Sequence, residues 1–307
     1  MHTAARTRFA LAAVAVGAVV ALAGCSSSDP LETDAASSGS GETLVVGSQD
    51  YYSNEIIAEI YAQAFEANGF EVDRQFRIGQ REVYLPEIES GAIDVFPEYT
   101  GNLLQALDDT ATVTESTAVY DALTEALPEG LRALDQSSAT DQDSYNVTAG
   151  FAEQWDLVEI GDLANVTEPL TLGGNSELET RPYGPPGLES VYGVTVGFTP
   201  IEDSGGPLTL KALVDGQVQL VDIYSADPNI EANDLVTLED PEGLFLASNV
   251  VPIVSDKVDD TATEVLNTVS AALTPEILVS LNAQSVNDED SAEDIASAWL
   301  EEAGLFS

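Results

Sequence analysis

The alternation of apolar runs and amphipathic stretches after residue 42 predicts the order strand, helix, strand, helix, strand. Residues 44–48 form a short apolar run closed by Gly and Ser, which is typical of a buried strand that turns into a loop. Apolar residues at helical spacing follow, with Ser53 as the predicted N-cap and Gly69 as the residue that ends the helix. The next strand, helix and strand are predicted at 71–76, 81–90 and 93–96. This order indicates an α/β sheet with parallel neighbours, in which ligands bind beyond the carboxyl ends of the strands.

The chain from Tyr145 onward carries a second α/β pattern. Its strands are predicted at 146–149, 170–172, 194–198, 218–223 and 235–238. After an apolar run at 250–254, we expect three amphipathic stretches to return to the first set, at 261–273, 275–283 and 291–303. We therefore predict a two-lobed α/β protein with two crossovers between its lobes. Lobe 1 is expected to comprise 43–144 plus 251–307, and lobe 2 to comprise 145–250.

The N-terminal segment has the order of a secretory signal followed by a lipidation box. Two arginines precede an uncharged apolar run over 9–23, and the sequence Leu-Ala-Gly-Cys ends at Cys25. A retained membrane-spanning helix needs about 20 apolar residues, and this run is shorter. We therefore expect removal of residues 1–24, acylation of Cys25 with chains such as palmitate, and a flexible tether over 25–42. The mature protein is then expected on the extracytoplasmic face of the cell membrane, anchored by lipid.

The charge of the chain is strongly negative. The sequence contains 54 Asp and Glu against 9 Lys and Arg, for a formal net charge of −45. The expected signal holds two of the nine basic residues and no acidic one, so the mature chain keeps seven basic residues and a charge of −47. Such a surface repels phosphate backbones, which bind to Lys and Arg, and it excludes nucleic acid as a partner.

The scarcity of His and Cys excludes several kinds of catalytic and metal site. His2 and Cys25 are the only residues of their types in the sequence, so the mature domain cannot build Ser-His-Asp or Cys-His machinery or a His/Cys zinc site. Neither lysine of the mature chain follows Gly in a phosphate-binding loop, so the chain is not an ATPase. The acidic runs at 141–143 and 287–290 lack the Gly and the terminal Glu of a calcium loop and are expected to be solvated surface. We expect no metal and no cofactor.

Three stretches of the first lobe closely resemble one family. They are Val-Gly-Ser at 46–48, Gly-Gln-Arg-Glu-Val-Tyr-Leu-Pro at 79–86, and Glu-Ser-Gly-Ala-Ile-Asp-Val-Phe-Pro-Glu-Tyr-Thr-Gly at 89–101. Weaker likeness continues at 222–227, 238–240, 251–252 and 281–282. The sequence thus resembles the substrate-binding proteins of glycine betaine/choline/carnitine (osmoprotectant) ABC importers over most of residues 43–305.

The resemblance implies a type II periplasmic-binding-protein-like fold. It also implies a monomer that closes its lobes on a quaternary ammonium compound or related zwitterion and delivers it to the permease and ATPase subunits of an ABC importer. The ammonium head is expected in a box of tyrosines, because a trimethylammonium group has no N–H to donate and must be recognised by π faces. Residue by residue, Tyr99, Tyr145 and Tyr224 match the box, and Arg181 matches the arginine that binds the ligand carboxylate.

Two residues depart from the family pattern. Ser248 stands where a fourth aromatic is expected, and Asn102 stands where a Thr often follows Glu-Tyr-Thr-Gly. Either the site takes a larger or more polar ligand, or another aromatic fills the gap, the candidates being Tyr51, Tyr52, Tyr183 and Phe245. Gln49 and Asp143 are expected to supply polar contacts at the rim. Surface ion pairing, or packing in the case of Arg81, is expected for the arginines Arg74, Arg77 and Arg81 rather than ligand binding.

Three other interpretations stay open from the sequence alone. The same fold can serve a different small polar solute, such as an amino acid or a polyol, which Ser248 and Asn102 favour. Composition does not exclude an extracellular enzyme that uses two carboxylates, although no pair stands out. A non-transport surface or sensory protein is also compatible with the sequence. The first expectation is a solute receptor that performs no chemistry.

Overall fold

The computed structural model describes residues 43–305. Within that range the strands are β1 Leu44–Gly47, β2 Val72–Gln75, β3 Val95–Tyr99, β4 Leu131–Ala133, β5 Asp143–Thr148, β6 Thr171–Gly174, β7 Gly197–Pro200, β8 Leu220–Tyr224, β9 Leu235–Thr237 and β10 Val250–Ser255. The helices are α1 Tyr52–Ala67, α2 Arg81–Glu89, α3 Thr100–Leu107, α4 Ser116–Ala126, α5 Ala149–Trp155, α6 Pro185–Gly187, α7 Pro207–Val214, α8 Asn229–Ala232, α9 Asp260–Ala272, α10 Pro275–Ala283 and α11 Ala292–Ala303. Short 3₁₀ or π segments lie at Ile160–Asn165, Ser176–Glu179, Leu188–Tyr192 and Gln284–Asp288.

The first sheet has the strand order β2-β1-β3-β10-β4. β1 runs parallel to β2 and β3, whereas β10 is antiparallel to β3 and β4. β3 and β10 are buried along their whole length because helices cover both faces of the sheet. On one face, α1 packs with α9, α10 and α11 in a core that includes Ile57, Phe65 and Trp299. On the other face, α2, α3 and α4 pack around Phe96 and Leu103.

The second sheet has the strand order β7-β6-β8-β5-β9. β6 is parallel to β7 and β8, and β5 is antiparallel to β8 and β9. Its larger core is built around Tyr145, Leu172, Leu188 and Leu220. A smaller core under α7 contains Leu213. Each sheet therefore has its own apolar core.

The chain crosses between the two sheets twice. It leaves the first sheet after β4 and joins the second with β5, and it returns between β9 and β10. The two crossover segments lie side by side, and Thr140 pairs with Asn249 in an antiparallel bridge. The predicted two-lobed α/β fold with two crossovers is confirmed. β5 and β10 begin within two residues of the expected lobe boundaries, which themselves stay a prediction.

Two predicted element boundaries near the cavity described below are wrong. α1 begins at Tyr52 with Tyr51 as its N-cap, so Ser53 is a buried residue of the first turn rather than the cap. β3 continues to Tyr99 although its end was predicted at residue 96. Pro97 does not end the strand, because it lies opposite a proline of β10 and its carbonyl still accepts a hydrogen bond from a side chain. The sequence patterns also did not predict α3, α4 or β4.

The expected signal peptide, the lipidated Cys25 and the tether over 25–42 lie outside the described residues, as do residues 306 and 307 of the expected lobe 1. Within 43–305, no helix combines the length and the apolar character that crossing a membrane requires.

Candidate ligand-binding site

A small cavity of about 20 Å³ lies between the two sheets, beyond the carboxyl ends of β1, β3 and β8. Six of the eight predicted site residues line it: Gln49, Tyr99, Asn102, Asp143, Arg181 and Tyr224. Of the four aromatics considered for the missing place in the box, Tyr51 lines this cavity. The sequence did not point to three further lining residues, which are Gln80, Arg81 and Asp141.

The other two predicted residues, Tyr145 and Ser248, lie behind the cavity wall. Tyr145 is fully buried in β5, its ring meets Phe245 edge-on at 5.0 Å between centroids, and its hydroxyl donates to the carbonyl of Tyr183. Ser248 is also buried and is hydrogen-bonded to Asn102. Both residues therefore position neighbours of the cavity instead of facing it.

Three tyrosines form the aromatic part of the wall. Tyr51 and Tyr224 come from different lobes, and their ring centroids lie 4.7 Å apart in edge-to-face contact. Tyr99 ends β3, and its hydroxyl accepts a hydrogen bond from Asn54 Nδ2 at 3.3 Å. Asn54 also donates to the carbonyl of Pro97 at 2.8 Å, so one buried amide fixes the end of this strand. Burial is the main cause that raises the pKa of all three phenols well above the ordinary value, so the rings stay neutral.

The acidic run at 141–143 is not the solvated surface that the sequence predicted. Asp141 is only 3% exposed because the first crossover passes between the lobes at this point. Its carboxylate accepts hydrogen bonds from the hydroxyl of Tyr51 at 2.9 Å and from the backbone N–H of Ala226 at 3.1 Å. Burial raises the pKa of Asp141 to about 7 in spite of these hydrogen bonds. The other acidic run, 287–290, is exposed as expected.

Asp143 faces the cavity, with a second carboxyl group, Asp222, behind it on the neighbouring strand β8. The two carboxyl groups are hydrogen-bond partners, and Asp222 Oδ1 meets no donor among residues 43–305. Two carboxyl groups in contact are compatible only if one carries a proton. Burial, followed by the charge of Asp143, raises the pKa of Asp222 well above the ordinary value, which places the proton on Asp222. Asp143 is then an acceptor toward the cavity, where Asn102 Nδ2 donates to it.

Arg81 lines the cavity, but its charge is matched within the protein. Its Nε and Nη2 each donate to the carboxylate of Glu98 at 2.9 Å, and the Tyr84 hydroxyl donates to the same carboxylate at 2.6 Å. The Glu98 side chain is fully buried. Arg74 and Arg77 pair with glutamates of α1, so the ion pairing expected for these two arginines is confirmed. Arg81, for which packing was also considered, forms a buried ion pair. The place of Arg81 in the cavity wall was missed, because a buried pair and a surface pair look alike in sequence.

Arg181 lies at the boundary between this cavity and a wider one of about 290 Å³. The wall of the wider cavity includes apolar side chains such as Leu85 and Pro182. Arg181 Nη1 donates to the hydroxyl of Tyr183 at 3.0 Å, and Nη2 donates to the carboxylate of Glu82 at 3.2 and 3.3 Å. Partial burial raises the pKa of Glu82, but the charge and hydrogen bond of Arg181, a backbone N–H and the charge of Arg81 together hold this pKa below the ordinary value.

Asn102, in the first turn of α3, connects the two lobes. Its Nδ2 donates to Asp143 and, at 3.2 Å, to the hydroxyl of Tyr183. Its Oδ1 accepts from Ser248 Oγ at 2.8 Å, and its backbone N–H donates to the same Oγ at 3.1 Å. Gly101 permits α3 to lie this close to Ser248, since a Cβ at position 101 would be 2.7 Å from Ser248 Oγ. A tight contact between α3 and the second crossover therefore explains the Thr-Gly pair.

Further hydrogen bonds join the lobes around the cavity, so the structure is a closed arrangement. The hydroxyl of Tyr52 donates to Asp227 at 3.1 Å, and Gln80 Nε2 donates to Ser204 Oγ at 3.3 Å. Ser204 has a left-handed backbone with φ of 54°, a strained conformation that is often found in ligand-clamping loops. Within residues 43–305 no group of three His, Cys, Asp or Glu side chains is placed to hold a metal ion. The cavity therefore offers π faces, carboxylates and guanidinium groups, which recognise a small charged solute by contact.

The family described as the substrate binding domain of ABC-type glycine betaine transport systems matches residues 42–302. The chain belongs to this family. It is therefore an extracytoplasmic binding component of a transport system, which confirms the expected role. The family is one of binding proteins and not of enzymes, so the alternative of an enzyme that uses two carboxylates is wrong.

Individual proteins of known sequence or structure agree with this assignment. The glycine betaine-binding protein YehZ of Escherichia coli (strain K12) is 25% identical over 274 residues, which is 84% of this chain and 90% of that protein. The glycine-betaine-binding protein of Pseudomonas aeruginosa is 24% identical over 287 residues, which is 89% of this chain and 91% of that protein. A crystal structure of a glycine betaine/carnitine/choline ABC transporter has a TM-score of 0.70 at 18% identity and covers 86% of this chain and 100% of that one. This structural likeness shows the two-lobed fold.

Proposed function

We propose that this receptor captures a quaternary ammonium osmoprotectant, such as glycine betaine, choline or carnitine, and delivers it to the permease and ATPase subunits of an ABC importer. The observation that carries the proposal is the convergence of Tyr51, Tyr99 and Tyr224 with the buried Asp141 on one small cavity. The names of the two relatives from Escherichia coli and Pseudomonas aeruginosa, both glycine betaine-binding proteins, support the same ligand class.

Neutral phenol rings suit a trimethylammonium group, which has no hydrogen-bond donor. Each π face within reach of the cation contributes about 0.5–2 kcal/mol, and more where water is excluded. Micromolar binding corresponds to about 8 kcal/mol. Three rings at these values contribute about 1.5–6 kcal/mol, so micromolar affinity also needs a charge interaction such as that with a counter-ion.

Ligand capture requires the lobes to separate and close again. Tyr51 and Tyr224 touch each other at 4.7 Å, whereas a cation between two rings would keep up to about 6 Å from each centroid. The hydrogen bonds from Tyr52 to Asp227 and from Gln80 to Ser204 also cross the entrance and must break for a ligand to enter. In the bound state the cation replaces the contact between the rings.

The carboxylate of a zwitterionic ligand is proposed to bind Arg181. In the unliganded protein the carboxylate of Glu82 accepts two hydrogen bonds from this guanidinium. The Glu82 side chain is 58% exposed, so it can rotate into solvent when a ligand carboxylate takes its place. Gln49, Asn102 and Asp143 supply polar contacts in this proposal. Tyr145 and Ser248 support the wall from behind.

Calorimetric titration of the purified full chain in a non-ionic detergent tests the ligand class. Glycine betaine, choline, carnitine and proline betaine form one panel, and proline, glutamine and sorbitol form the other. We expect a micromolar Kd for at least one quaternary ammonium compound. Binding of the second panel alone, with every quaternary compound weaker than about 1 mM, rejects the proposal in favour of another polar solute.

We also propose that the mature chain is a monomer anchored through lipid on Cys25. The Leu-Ala-Gly-Cys sequence and the Ser/Gly-rich stretch at 25–42 support the anchor. We expect the wild-type chain in the membrane fraction with an acylated N-terminal peptide by mass spectrometry, and Cys25→Ala without that acyl group. Recovery of the unmodified wild-type chain in the soluble fraction contradicts the anchor, and light scattering of the purified chain tests the monomer.

A further inference from the structure

The carboxylates on the cavity wall lack matching positive charges in the protein. The two lining arginines already have acidic partners, Glu98 for Arg81 and Glu82 for Arg181. Asp141 and Asp143 also line the cavity, and within residues 43–305 neither forms a salt bridge with Lys or Arg. The cavity therefore carries an excess of negative charge.

Asp141 is the carboxylate that lies against the tyrosines. The hydroxyl of Tyr51 holds its Oδ2 at 2.9 Å, and the N–H of Ala226 holds its Oδ1 at 3.1 Å. The titratable groups that act on it, or on which it acts, are Tyr51, Tyr52, Tyr99 and Asp227, from α1, β3 and the turn after β8. None of these groups is positive. When Asp141 is ionised, none of these groups balances its charge, and a cationic ligand can do so.

We infer that Asp141 is the counter-ion of the ligand's quaternary ammonium group and that its ionisation sets the affinity. The inference rests on the proposed function and assigns a specificity-determining residue to it. A carboxylate acts on an ammonium group without N–H through charge alone, and this interaction is strong where the surrounding rings exclude water. Asp141 thereby distinguishes a cationic head group from an uncharged group of the same shape.

Ligand binding is then linked to proton release. Burial raises the pKa of Asp141 to about 7 in the unliganded cavity, and a cation beside it favours the ionised form. Below pH 7 the cation must therefore displace a proton from Asp141. The affinity should fall about tenfold for each pH unit below about 7, until the pKa of the bound state is reached. Above about pH 8 Asp141 is fully ionised, and the affinity no longer changes with pH through this group.

The test compares the wild-type full chain with Asp141→Asn in calorimetric titrations between about pH 5.5 and 8.5. The probes are choline, glycine betaine and 3,3-dimethylbutan-1-ol, the uncharged isostere of choline. Asn keeps the shape of Asp and can accept the hydrogen bond from Tyr51. We expect the substitution to weaken binding of both quaternary probes about tenfold or more near pH 8 and to remove the pH dependence. The ratio of affinities for choline and its uncharged isostere should shrink by the same factor.

Wild-type measurements test the linkage even if the variant does not fold. Near pH 6, the observed enthalpy of choline binding should change with the ionisation enthalpy of the buffer, because about one proton is released for each ligand bound. Asp259→Asn is the matched control. Asp259 caps α9 by accepting from the N–H of Ala262, lies outside the cavity, and can be replaced by Asn, which caps equally well. This control should bind every probe as the wild type does.

The outcomes separate the two proposals. If the wild type binds a quaternary probe and Asp141→Asn binds it equally well near pH 8, or if the wild-type affinity is independent of pH and buffer, the inference about Asp141 is overturned and the proposed function stands. If the wild type binds none of the quaternary probes, the proposed function itself fails, and the inference fails with it.

Discussion

Ser248 Oγ donates to Asn102 Oδ1 at 2.8 Å and accepts from the Asn102 backbone N–H at 3.1 Å. These are the two residues at which the sequence departs from the family pattern, and the structure shows that the departures form one arrangement. The serine fixes an amide that reaches across to Asp143 of the second sheet. An aromatic side chain at 248 cannot make this contact, and Tyr51 supplies the additional ring on the cavity wall.

Restoring an aromatic at position 248 is therefore expected to harm the protein. Ser248 is 1% exposed, so Ser248→Tyr overpacks the contact between α3 and the second crossover at a cost of about 1–3 kcal/mol. Ser248→Ala loses only the two hydrogen bonds of the hydroxyl, at about 1 kcal/mol each. Urea unfolding of both variants measures the difference. A Ser248→Tyr protein that is as stable as the wild type and binds choline more tightly contradicts this account.

Tyr51 combines a π face with a hydroxyl that holds Asp141, and two substitutions separate these roles. Tyr51→Leu removes the face and should weaken choline binding by about tenfold, which corresponds to the ~1.4 kcal/mol of one cation–π contact. Tyr51→Phe keeps the ring and should weaken choline binding less than Tyr51→Leu does. Tyr120→Phe is the control, since that hydroxyl donates to the carbonyl of Leu134 away from the cavity. Equal losses for Phe and Leu at position 51 would show that the hydroxyl, and not the ring, matters.

Arg181 should distinguish ligands with a carboxylate from those without one. A hydrogen bond between charged groups contributes about 1.5–3 kcal/mol, so Arg181→Gln should weaken binding of glycine betaine and carnitine by roughly 10- to 100-fold. Choline has no carboxylate, so the same substitution should weaken its binding much less. Arg132→Gln, which removes a hydrogen bond to the carbonyl of Val258, is the control. Equal losses for choline and glycine betaine argue against a carboxylate at Arg181.

Asp222 is expected to act as a protonated donor to Asp143. Asn can donate a hydrogen bond from the same place. The free energy of unfolding of Asp222→Asn should therefore lie within about 1 kcal/mol of the wild-type value near pH 7. Asp222→Leu removes the donor and leaves Asp143 with an unsatisfied oxygen, at a cost of about 1–3 kcal/mol. Urea unfolding of the two variants decides between them. An Asn variant as unstable as the Leu variant means that Asp222 is ionised in the fold.

The raised pKa of Asp141 makes the unliganded protein lose stability as the pH rises from about 4 to about 7. The folded value of about 7 lies above the ordinary value, so between the two pH values the folded state binds the proton more tightly than the unfolded state does. The contribution is fully present below about pH 4 and is lost as the pH rises to about 7, by a few kcal/mol. Asp141→Asn removes this dependence, so the variant should gain stability over the wild type as the pH rises. Unfolding free energies at acidic, neutral and alkaline pH test this, and a difference that stays constant with pH contradicts it.

Much of the fold was predictable because helices and strands follow from the spacing of apolar residues within short segments of the chain. α10 has the bounds 275–283 that its apolar spacing predicts, and the α/β order of the first lobe follows from short apolar runs separated by amphipathic ones. The patterns were less informative where an element is buried on every side. Pro97 and Glu98 are typical of a loop, yet both belong to β3. Glu98 can be buried in the strand because Arg81, which lies on α2, pairs with its carboxylate.

The sequence by itself determined the family, the binding role, the lack of His and Cys after residue 25, and six of the residues around the cavity. Only the tertiary structure decided which side chains face the cavity and in which charge state. Tyr145 was placed behind the wall, Tyr51 on it, and the acidic residue at 141 was buried instead of solvated. The physical reason is that burial and hydrogen-bond partners depend on contacts between distant segments. Asp141 lies between Tyr51 and Ala226, which are 90 and 85 residues away along the chain, and no local pattern specifies that meeting.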